Sequence, residues 1–282
     1  MTNRVRTERG GIVLMGGSEH QQINPELIRR TLDLTEKGPE TRVGIIASAS
    51  ESPTAMATRY IAALSASGIH AIRILDPAAT DPSGTLESLD ILLFTGGDQL
   101  RLLEVLFTAA FRKALTVFHH RGGVIAGSSA GAMVMGNPVI VRGDASAFAE
   151  IGALQFREGF DLVEDAIIDT HLVHRNRLGR LLHAASVYPG KTAIGIQEGT
   201  GLLIVPGQPG QVIGEGIVVS ARSSALPARS SALPARSSAL PDEEAPESLE
   251  RTYIHAENLH VSIYPRSTHI HLPLPAKTCS RP

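Results

Sequence analysis

The chain has 282 residues, of which 43% are hydrophobic, and its formal net charge is −2 at neutral pH. A chain of this length can bury a large core, so the composition predicts a soluble globular protein of one large domain or two small ones. The near-neutral charge excludes the strong basic field that is typical of nucleic-acid-binding proteins, and no apolar run is long enough to cross a bilayer. The charged N-terminus, residues 1–6, is not followed by an apolar segment, so we expect no secretion signal and a cytoplasmic location.

The first part of the chain alternates strand-like apolar runs with helical patterns. The runs cover residues 11–15, 42–47, 69–75, 90–94 and 124–126, and helices are predicted over residues 25–37, over 53–67 and after Gln99. This alternation is typical of a parallel sheet covered by helices. The runs are apolar on both faces, as buried strands are.

The second part is richer in strands. Residues 166–169, 192–196, 201–205 and 211–219 read as strands, with one clear helix over 174–187 between them, and residues 252–264 are also β-like. We expect some of these strands to be antiparallel, because few helices are left to form crossover connections.

A low-complexity segment interrupts this part. The sequence Ala-Arg-Ser-Ser-Ala-Leu-Pro occurs in tandem at 221–227, 228–234 and 235–241, and an acidic stretch follows at 242–247. A proline every seventh residue excludes a heptad helix, and such a composition buries little apolar area. We interpret it as an insertion at about 221–250 in a single domain of residues 1–282, and as a flexible surface loop; a tether for a partner is the alternative.

The motif with the clearest chemistry is a turn between a strand and a helix. Gly127, Ser129 and Gly131 follow the apolar run at 124–126 in the pattern G-x-S-x-G. This is the form of a nucleophile elbow, in which a strained turn holds the serine oxygen out at the carboxyl end of the strand. The N–H of Ala130 would then face the oxygen of a carbonyl under attack. The alternative is a small-residue turn without chemistry.

A second glycine turn, Gly96-Gly97-Asp98-Gln99, follows the run at 90–94. If that strand lies beside the strand of the elbow, Gly97 can donate a second N–H to the oxyanion and Gln99 can bind a polar atom of a substrate. The alternative is a glycine pair that only satisfies turn geometry.

The third motif places histidine and arginine side chains at the end of a strand. Asp169, Thr170 and His171 end the run at 166–169, and Arg175, Arg177 and Arg180 follow within the predicted helix. Three guanidinium groups near one strand end would attract the carboxylates of a substrate. A solvated basic helix face is the alternative.

A serine nucleophile needs a base and an acid that orients the base. Of the eleven histidines, His171 is best placed, with His174 as its competitor and His119 and His120 before another turn. Glu198 follows the run at 192–196 and can supply the acid, although it can also be an exposed turn carboxylate. His269 and His271 lack a companion acid nearby, so we predict no metal site there. The only cysteine, Cys279, lies in a proline-rich tail, which excludes an internal disulfide and argues against a thiol nucleophile.

Together these motifs resemble the serine peptidase family that contains cyanophycinase and the aspartyl dipeptidase, over most of residues 11–219. The motifs that carry the resemblance are Gly96-Gly97-Asp98-Gln99, Gly127-Ser128-Ser129-Ala130-Gly131-Ala132, Asp169-Thr170-His171-Leu172, Arg175-Asn176-Arg177-Leu178-Gly179-Arg180-Leu181 and Gly195-Ile196-Gln197-Glu198. The corresponding family patterns are Gly-Gly-Asn/Asp-Gln, Gly-Thr-Ser-Ala-Gly-Ala and Asp-Gln-His-Phe for the first three motifs and Gly-Ile-Asp-Glu for the last. Thr170 and Leu172 depart from the glutamine and phenylalanine of the family.

The resemblance implies an α/β, three-layer, flavodoxin-like domain akin to the class I glutamine amidotransferases. It implies Ser129 as nucleophile, His171 as general base and Glu198 as its orienting acid, with no cofactor. It also implies that substrate-binding positions are occupied by Gln99, Asp169, Thr170, Arg175, Arg177 and Arg180.

The function implied is a serine exopeptidase that releases β-aspartyl dipeptides from a cyanophycin-like polymer, in which arginine is attached to a polyaspartate backbone. The expected partners are a substrate rich in aspartate and arginine and a second copy of the chain in a homodimer, with no nucleic acid and no membrane. A dipeptidase for N-terminal aspartyl peptides and a non-catalytic module that binds acidic peptides are the alternatives.

Overall fold

A computed structural model describes residues 9–17, 23–76, 82–143, 152–224 and 258–271. Within these ranges the strands are β1 (Ile12–Met15), β2 (Val43–Ile46), β3 (Ile72–Ile74), β4 (Ile91–Phe94), β5 (Val124–Ser128), β6 (Val139–Arg142), β7 (Gln155–Arg157), β8 (Ala166–Thr170), β9 (Thr192–Ile196), β10 (Thr200–Ile204), β11 (Gly210–Gly214), β12 (Ile217–Ser223), β13 (Leu259–Pro265) and β14 (His269–Ile270). The α-helices are α1 (Pro25–Leu32), α2 (Pro53–Ala66), α3 (Pro82–Glu87), α4 (Gln99–Leu106), α5 (Ala109–His120), α6 (Ala130–Met133) and α7 (Leu178–Val187). In these parts of the chain, no helix combines the length and the apolar character that a bilayer crossing requires.

The central sheet has the strand order β14-β11-β10-β1-β5-β4-β2-β3. Strands β1, β5, β4, β2 and β3 pair in parallel, whereas β10, β11 and β14 continue the sheet in antiparallel pairs. The predicted α/β fold with a mostly parallel central sheet is thus confirmed. Because parallel strands end at the same edge, the loops after β1, β4 and β5 lie together.

Two hydrophobic clusters cover the two faces of this sheet. On one face, Ile45 and Leu93 pack with Tyr60 and Leu64 of α2. On the other face, Leu92 and Phe94 pack with residues of α4, α5 and α6, among them Leu102. Residues on both faces of β4 are buried to 1% exposure or less, which explains why the strand is apolar throughout.

A second sheet has the order β13-β12-β9-β8. Strands β8 and β9 are parallel, and β9-β12 and β12-β13 are antiparallel. The loops that follow β8 and β9 therefore also share one edge. This edge supplies the histidine and the glutamate of the site described below.

The structure corrects several predicted boundaries. The single strand predicted over 211–219 is two strands, and β11 joins the central sheet whereas β12 joins the second one. Residues 221–223, which begin the first repeat, are the end of β12 and pair with residues 259–261 of β13. Residues 225–257, which include the remainder of the repeats, lie outside the described residues.

Two predicted helices are shorter in the structure. The helix predicted from residue 174 begins at Leu178, because residues 171–177 form a turn in which His171 and Asn176 have φ angles of 55° and 49°. The helix predicted over 25–37 ends as an α-helix at Leu32 and continues as one 3₁₀ turn to Thr35. The sequence patterns did not reveal β6 and β7, which pair only with each other.

Candidate active site

Ser129 lies in a strained turn between β5 and α6. Its φ and ψ angles are 51° and −116°, in a region that non-glycine residues seldom occupy. Gly131 permits close packing of this turn, because a Cβ atom there would lie 2.3 Å from the carbonyl oxygen of Phe94 at the end of β4. The predicted strand, tight turn and helix around Ser129 are therefore present.

Ser129 contacts a histidine that is 42 positions further along the chain. Its Oγ lies 2.7 Å from Nε2 of His171. The other ring nitrogen, Nδ1, is hydrogen-bonded to Oε1 of Glu198. Three loops that are distant in sequence thus bring a hydroxyl, an imidazole and a carboxylate into one hydrogen-bonded chain, which is the arrangement of a nucleophile, a base and an orienting acid.

The surroundings favour the neutral imidazole and the ionised carboxylate. Burial is the largest effect on His171 and lowers its pKa, although the hydrogen bond with Glu198 opposes this effect. Burial acts to raise the pKa of Glu198, but the hydrogen bond with His171 and the nearby positive charges outweigh it, so this pKa is lowered. At neutral pH the histidine can accept a proton from Ser129.

The segment that follows β1 connects all three loops. The carbonyl of Met15 accepts from the N–H of Ser129 at 3.0 Å, and that of Gly16 accepts from the N–H of His171 at 3.0 Å. The carbonyl of Gly17 accepts from the N–H of Gly199, beside Glu198, at 3.1 Å. Sequence analysis missed these residues, and the one available signal was a glycine pair directly after a predicted strand.

The glycine turn after β4 lies beside the elbow, because β4 and β5 are neighbours. Gly97 is exposed, and within the described residues neither its N–H nor that of Ala130 donates to a backbone carbonyl. Gln99 is engaged elsewhere: its Nε2 donates to the carbonyls of Ile140 and Val141 at 2.8 and 3.2 Å. The amide nitrogen of Gln99 therefore anchors β6 rather than pointing to an open site.

Asp169 is fully buried and holds two of the three predicted arginines. Its side chain has 0% exposure, and Oδ2 accepts from Nε of Arg180 at 2.8 Å while Oδ1 contacts Nη2 of the same residue. Arg177 lies 3.4 Å from Oδ1 and also donates to the carbonyl of Thr170 at 2.9 Å. In this arrangement Asp169 positions the arginines and presents no surface to a ligand, which differs from the predicted direct contact with substrate.

The arginines differ in their exposure. The side chains of Arg180 and Arg177 are 5% and 15% exposed, and burial, as the largest effect, lowers the pKa of Arg177 to about 10. Arg175 is exposed, so the alternative of a solvated basic face fits this residue alone. Thr170 is buried, and its Oγ1 has no hydrogen-bond partner within the described residues.

The other histidines have different surroundings. Nδ1 of His174 lies 3.5 Å from Oε2 of Glu198, and its side chain is 50% exposed. His119 lies at the opposite edge of the central sheet, where its Nε2 is 2.8 Å from the carbonyl of Gly10. In the described ranges, no group of three or more histidine, cysteine, aspartate or glutamate side chains is arranged to bind a metal ion.

We expect Asp169→Asn to lower the free energy of unfolding by about 3 kcal/mol, because removing one partner of a buried ion pair leaves the guanidinium of Arg180 without a counter-charge. Urea denaturation followed by circular dichroism measures this change. The matched control is Asp165→Asn. This carboxylate is 62% exposed and lies 3.6 Å from Lys191, so its replacement should change the free energy by less than about 1 kcal/mol. Equal effects of the two substitutions would contradict the anchoring role of Asp169.

Comparisons with known proteins place this chain in a family. The model of peptidase family S51 matches residues 12–211. The chain is 30% identical over 225 residues to a cyanophycinase from Geminocystis herdmanii, covering 77% of this chain and 82% of that protein. It is 32% identical over 215 residues to a cyanophycinase from Nostoc sp., covering 73% and 72%. Among solved structures, a peptidase from an acI-B1 actinobacterium has a similar fold, with a TM-score of 0.58 at 23% identity over 74% of this chain and 89% of that one.

Proposed function

We propose that this chain, a serine-type peptidase that belongs to peptidase family S51, hydrolyses peptide bonds of aspartyl residues with Ser129, His171 and Glu198 as its catalytic triad. The observation that carries this proposal is the hydrogen-bonded chain from Ser129 Oγ through the ring of His171 to Glu198, with 2.7 Å between Oγ and Nε2. Because the family is one of peptidases, we set aside the alternative of a non-catalytic binding module.

The proposed reaction proceeds through an acyl-enzyme. Ser129 Oγ attacks the carbonyl carbon of the substrate while Nε2 of His171 takes the hydroxyl proton. The N–H groups of Gly97 and Ala130 stabilise the resulting oxyanion. The tetrahedral intermediate collapses as His171 gives its proton to the leaving amine. A water molecule then attacks the ester and gives a proton to His171, which returns it to Ser129 Oγ as the acid product leaves.

Glu198 assists by orienting the imidazole and by stabilising the imidazolium that forms in each step. The lowered pKa of His171 supports its role as a base, because burial keeps the ring neutral before the reaction. The carboxylate of Glu198 interacts more strongly with the protonated ring than with the neutral ring, because the two groups then form an ion pair in a largely buried site.

The proposed substrates are β-aspartyl peptides, with a cyanophycin-like polymer as the first candidate. Two relatives at 30% and 32% identity are named cyanophycinase, and Arg175, exposed beside the triad, is suited to attract a substrate carboxylate. A homodimer and a cytoplasmic location stay predictions.

One observation favours a second candidate, a dipeptidase for N-terminal aspartyl peptides. Asp169, which was expected to pair with an arginine side chain of the substrate, is already occupied by Arg177 and Arg180. A site whose aspartate is already paired with arginines recognises a carboxylate of the substrate more readily than a guanidinium group of the substrate.

Mass spectrometry of the products distinguishes the two candidates. The protein is incubated with cyanophycin and, separately, with β-linked and α-linked aspartyl dipeptides. Release of β-aspartyl-arginine from the polymer supports the first candidate, and cleavage of free dipeptides alone supports the second. If no aspartyl substrate is cleaved by a protein whose serine reacts with a fluorophosphonate, the proposed specificity is wrong although the triad stands.

A further inference from the structure

We propose that His174 is a positioning residue for the triad, which it assists by holding the second oxygen of the Glu198 carboxylate. This inference rests on the proposed function, because it assigns a role to a residue that neither touches Ser129 nor faces a reacting atom. It separates His174 from its earlier interpretation as a competing general base.

The geometry divides the two oxygens of Glu198 between two histidines. Oε1 is hydrogen-bonded to Nδ1 of His171, and Oε2 lies 3.5 Å from Nδ1 of His174. A carboxylate that is held at one oxygen can still rotate about its terminal torsion, which has a broad energy minimum. A second contact at the other oxygen restricts this rotation and keeps Oε1 in line with His171.

The backbone of the same turn brings both histidines to Glu198. His171 adopts a left-handed conformation, with φ at 55°, and its carbonyl accepts from the N–H of Arg175 at 3.0 Å. This turn delays the start of α7 to Leu178. The His174 side chain, three positions after the base, thereby faces the carboxylate from the solvent side, with 50% of its surface exposed against 11% for Glu198.

Several basic side chains lie around Glu198. His171, His174 and Arg175 interact with its carboxylate and lower its pKa, and Arg177 interacts with it as well. The acidic side chain of Glu215 is also near, because its Oε2 would lie 3.8 Å from a Cβ atom at Gly199, the residue after Glu198. The interaction with His174 helps to lower the pKa of Glu198, so a contact at Oε2 favours the ionised carboxylate that orients His171.

Two variants test this contact. His174→Ala removes it, whereas His174→Gln keeps a hydrogen-bond donor at the same position. We expect His174→Ala to lower the rate at which Ser129 reacts with a fluorophosphonate at pH 8 by about two- to fivefold, the size of effect expected for a half-exposed contact. His174→Gln should restore most of this rate. A residue that only stabilised the fold would lower the rate equally in both variants, whereas the loss of a positioning contact is reversed by a side chain that keeps the donor.

The experiment measures the labelling rate at pH 8 for the wild-type protein, the two His174 variants and His70→Ala, a control at an exposed histidine before β3. Rates equal to that of the control in both His174 variants would overturn the inference, as would an equal loss of rate in the two variants. The probe needs no peptide substrate, so these outcomes concern His174 alone. Absence of labelling in the wild-type protein would instead refute the proposed triad, and the role of His174 with it.

Discussion

Replacing Ser129 with alanine is expected to lower turnover on any cleaved aspartyl peptide by about 10⁶-fold. The hydroxyl is the group that forms the acyl-enzyme in the proposed reaction, and its Oγ lies 2.7 Å from Nε2 of His171. The loss should appear in kcat, because the groups that bind substrate are unchanged. Steady-state kinetics and labelling by a fluorophosphonate both measure it.

Ser128→Ala is the matched control for this substitution. Ser128 precedes Ser129, ends β5 and is 3% exposed. Alanine at this position therefore removes a hydroxyl group from a buried residue next to Ser129. We expect this variant to retain labelling and most of its turnover. If Ser129→Ala cleaved aspartyl peptides as fast as Ser128→Ala, the nucleophile would have to be sought elsewhere.

The turn that holds the proposed nucleophile could be predicted from sequence because it depends on local geometry. A serine between two glycines after a buried strand leaves few conformations other than a tight turn, and the structure has that turn, with φ at 51° for Ser129. The adjacency of β4 and β5, which places Gly97 beside the elbow, stays a condition in the sequence-based prediction, because the residues of a strand do not identify its neighbour in the sheet.

Residue patterns favour His171 over His174 as the base without excluding His174. The two residues lie three positions apart, His171 at the end of a predicted strand and His174 at the start of the predicted helix, so that either could face the serine. The structure separates them because a left-handed residue at position 171 turns the chain before the helix begins. Only the three-dimensional arrangement shows that the ring of His171 contacts both Ser129 and Glu198, whereas the ring of His174 lies beside Glu198.

The role of Asp169 could not be predicted from the sequence. An aspartate at a strand end beside three arginines can bind a ligand or can bind the arginines, and the pattern of residues is the same in both cases. Burial decides between them. Since the carboxylate has no exposed surface, its charge must be matched within the protein, and Arg180 and Arg177 supply the match.

The site draws its groups from two sheets. Ser129 follows a strand of the central sheet, whereas His171 and Glu198 follow β8 and β9 of the second sheet. The alignment of Ser129 with His171 and Glu198 therefore depends on the segment that is hydrogen-bonded to the loops of both sheets. Met15, Gly16 and Gly17 at the end of β1 provide this connection through three successive carbonyl groups.

Gly17→Ala is accordingly expected to lower turnover by about 10²-fold or more, although alanine adds a single methyl group. The φ angle of Gly17 is +100°, and a Cβ atom there would lie 2.4 Å from Cε1 and 2.6 Å from Nε2 of His171. Contacts this short require the imidazole to move, and a movement of about 1 Å is enough to break its hydrogen bond with Ser129. Turnover and the rate of fluorophosphonate labelling should fall together, because both need the activated serine.

Gly68→Ala separates this displacement from simple backbone strain. Gly68 also has a positive φ, +83°, but a Cβ atom there would meet nothing within 4 Å. Its replacement should therefore cost about 1 kcal/mol of stability and leave the labelling rate unchanged. If Gly17→Ala left turnover and the labelling rate unchanged, as we expect for Gly68→Ala, His171 could not be the base that activates Ser129 in the position described. A ring held in that position leaves no room for the added methyl group.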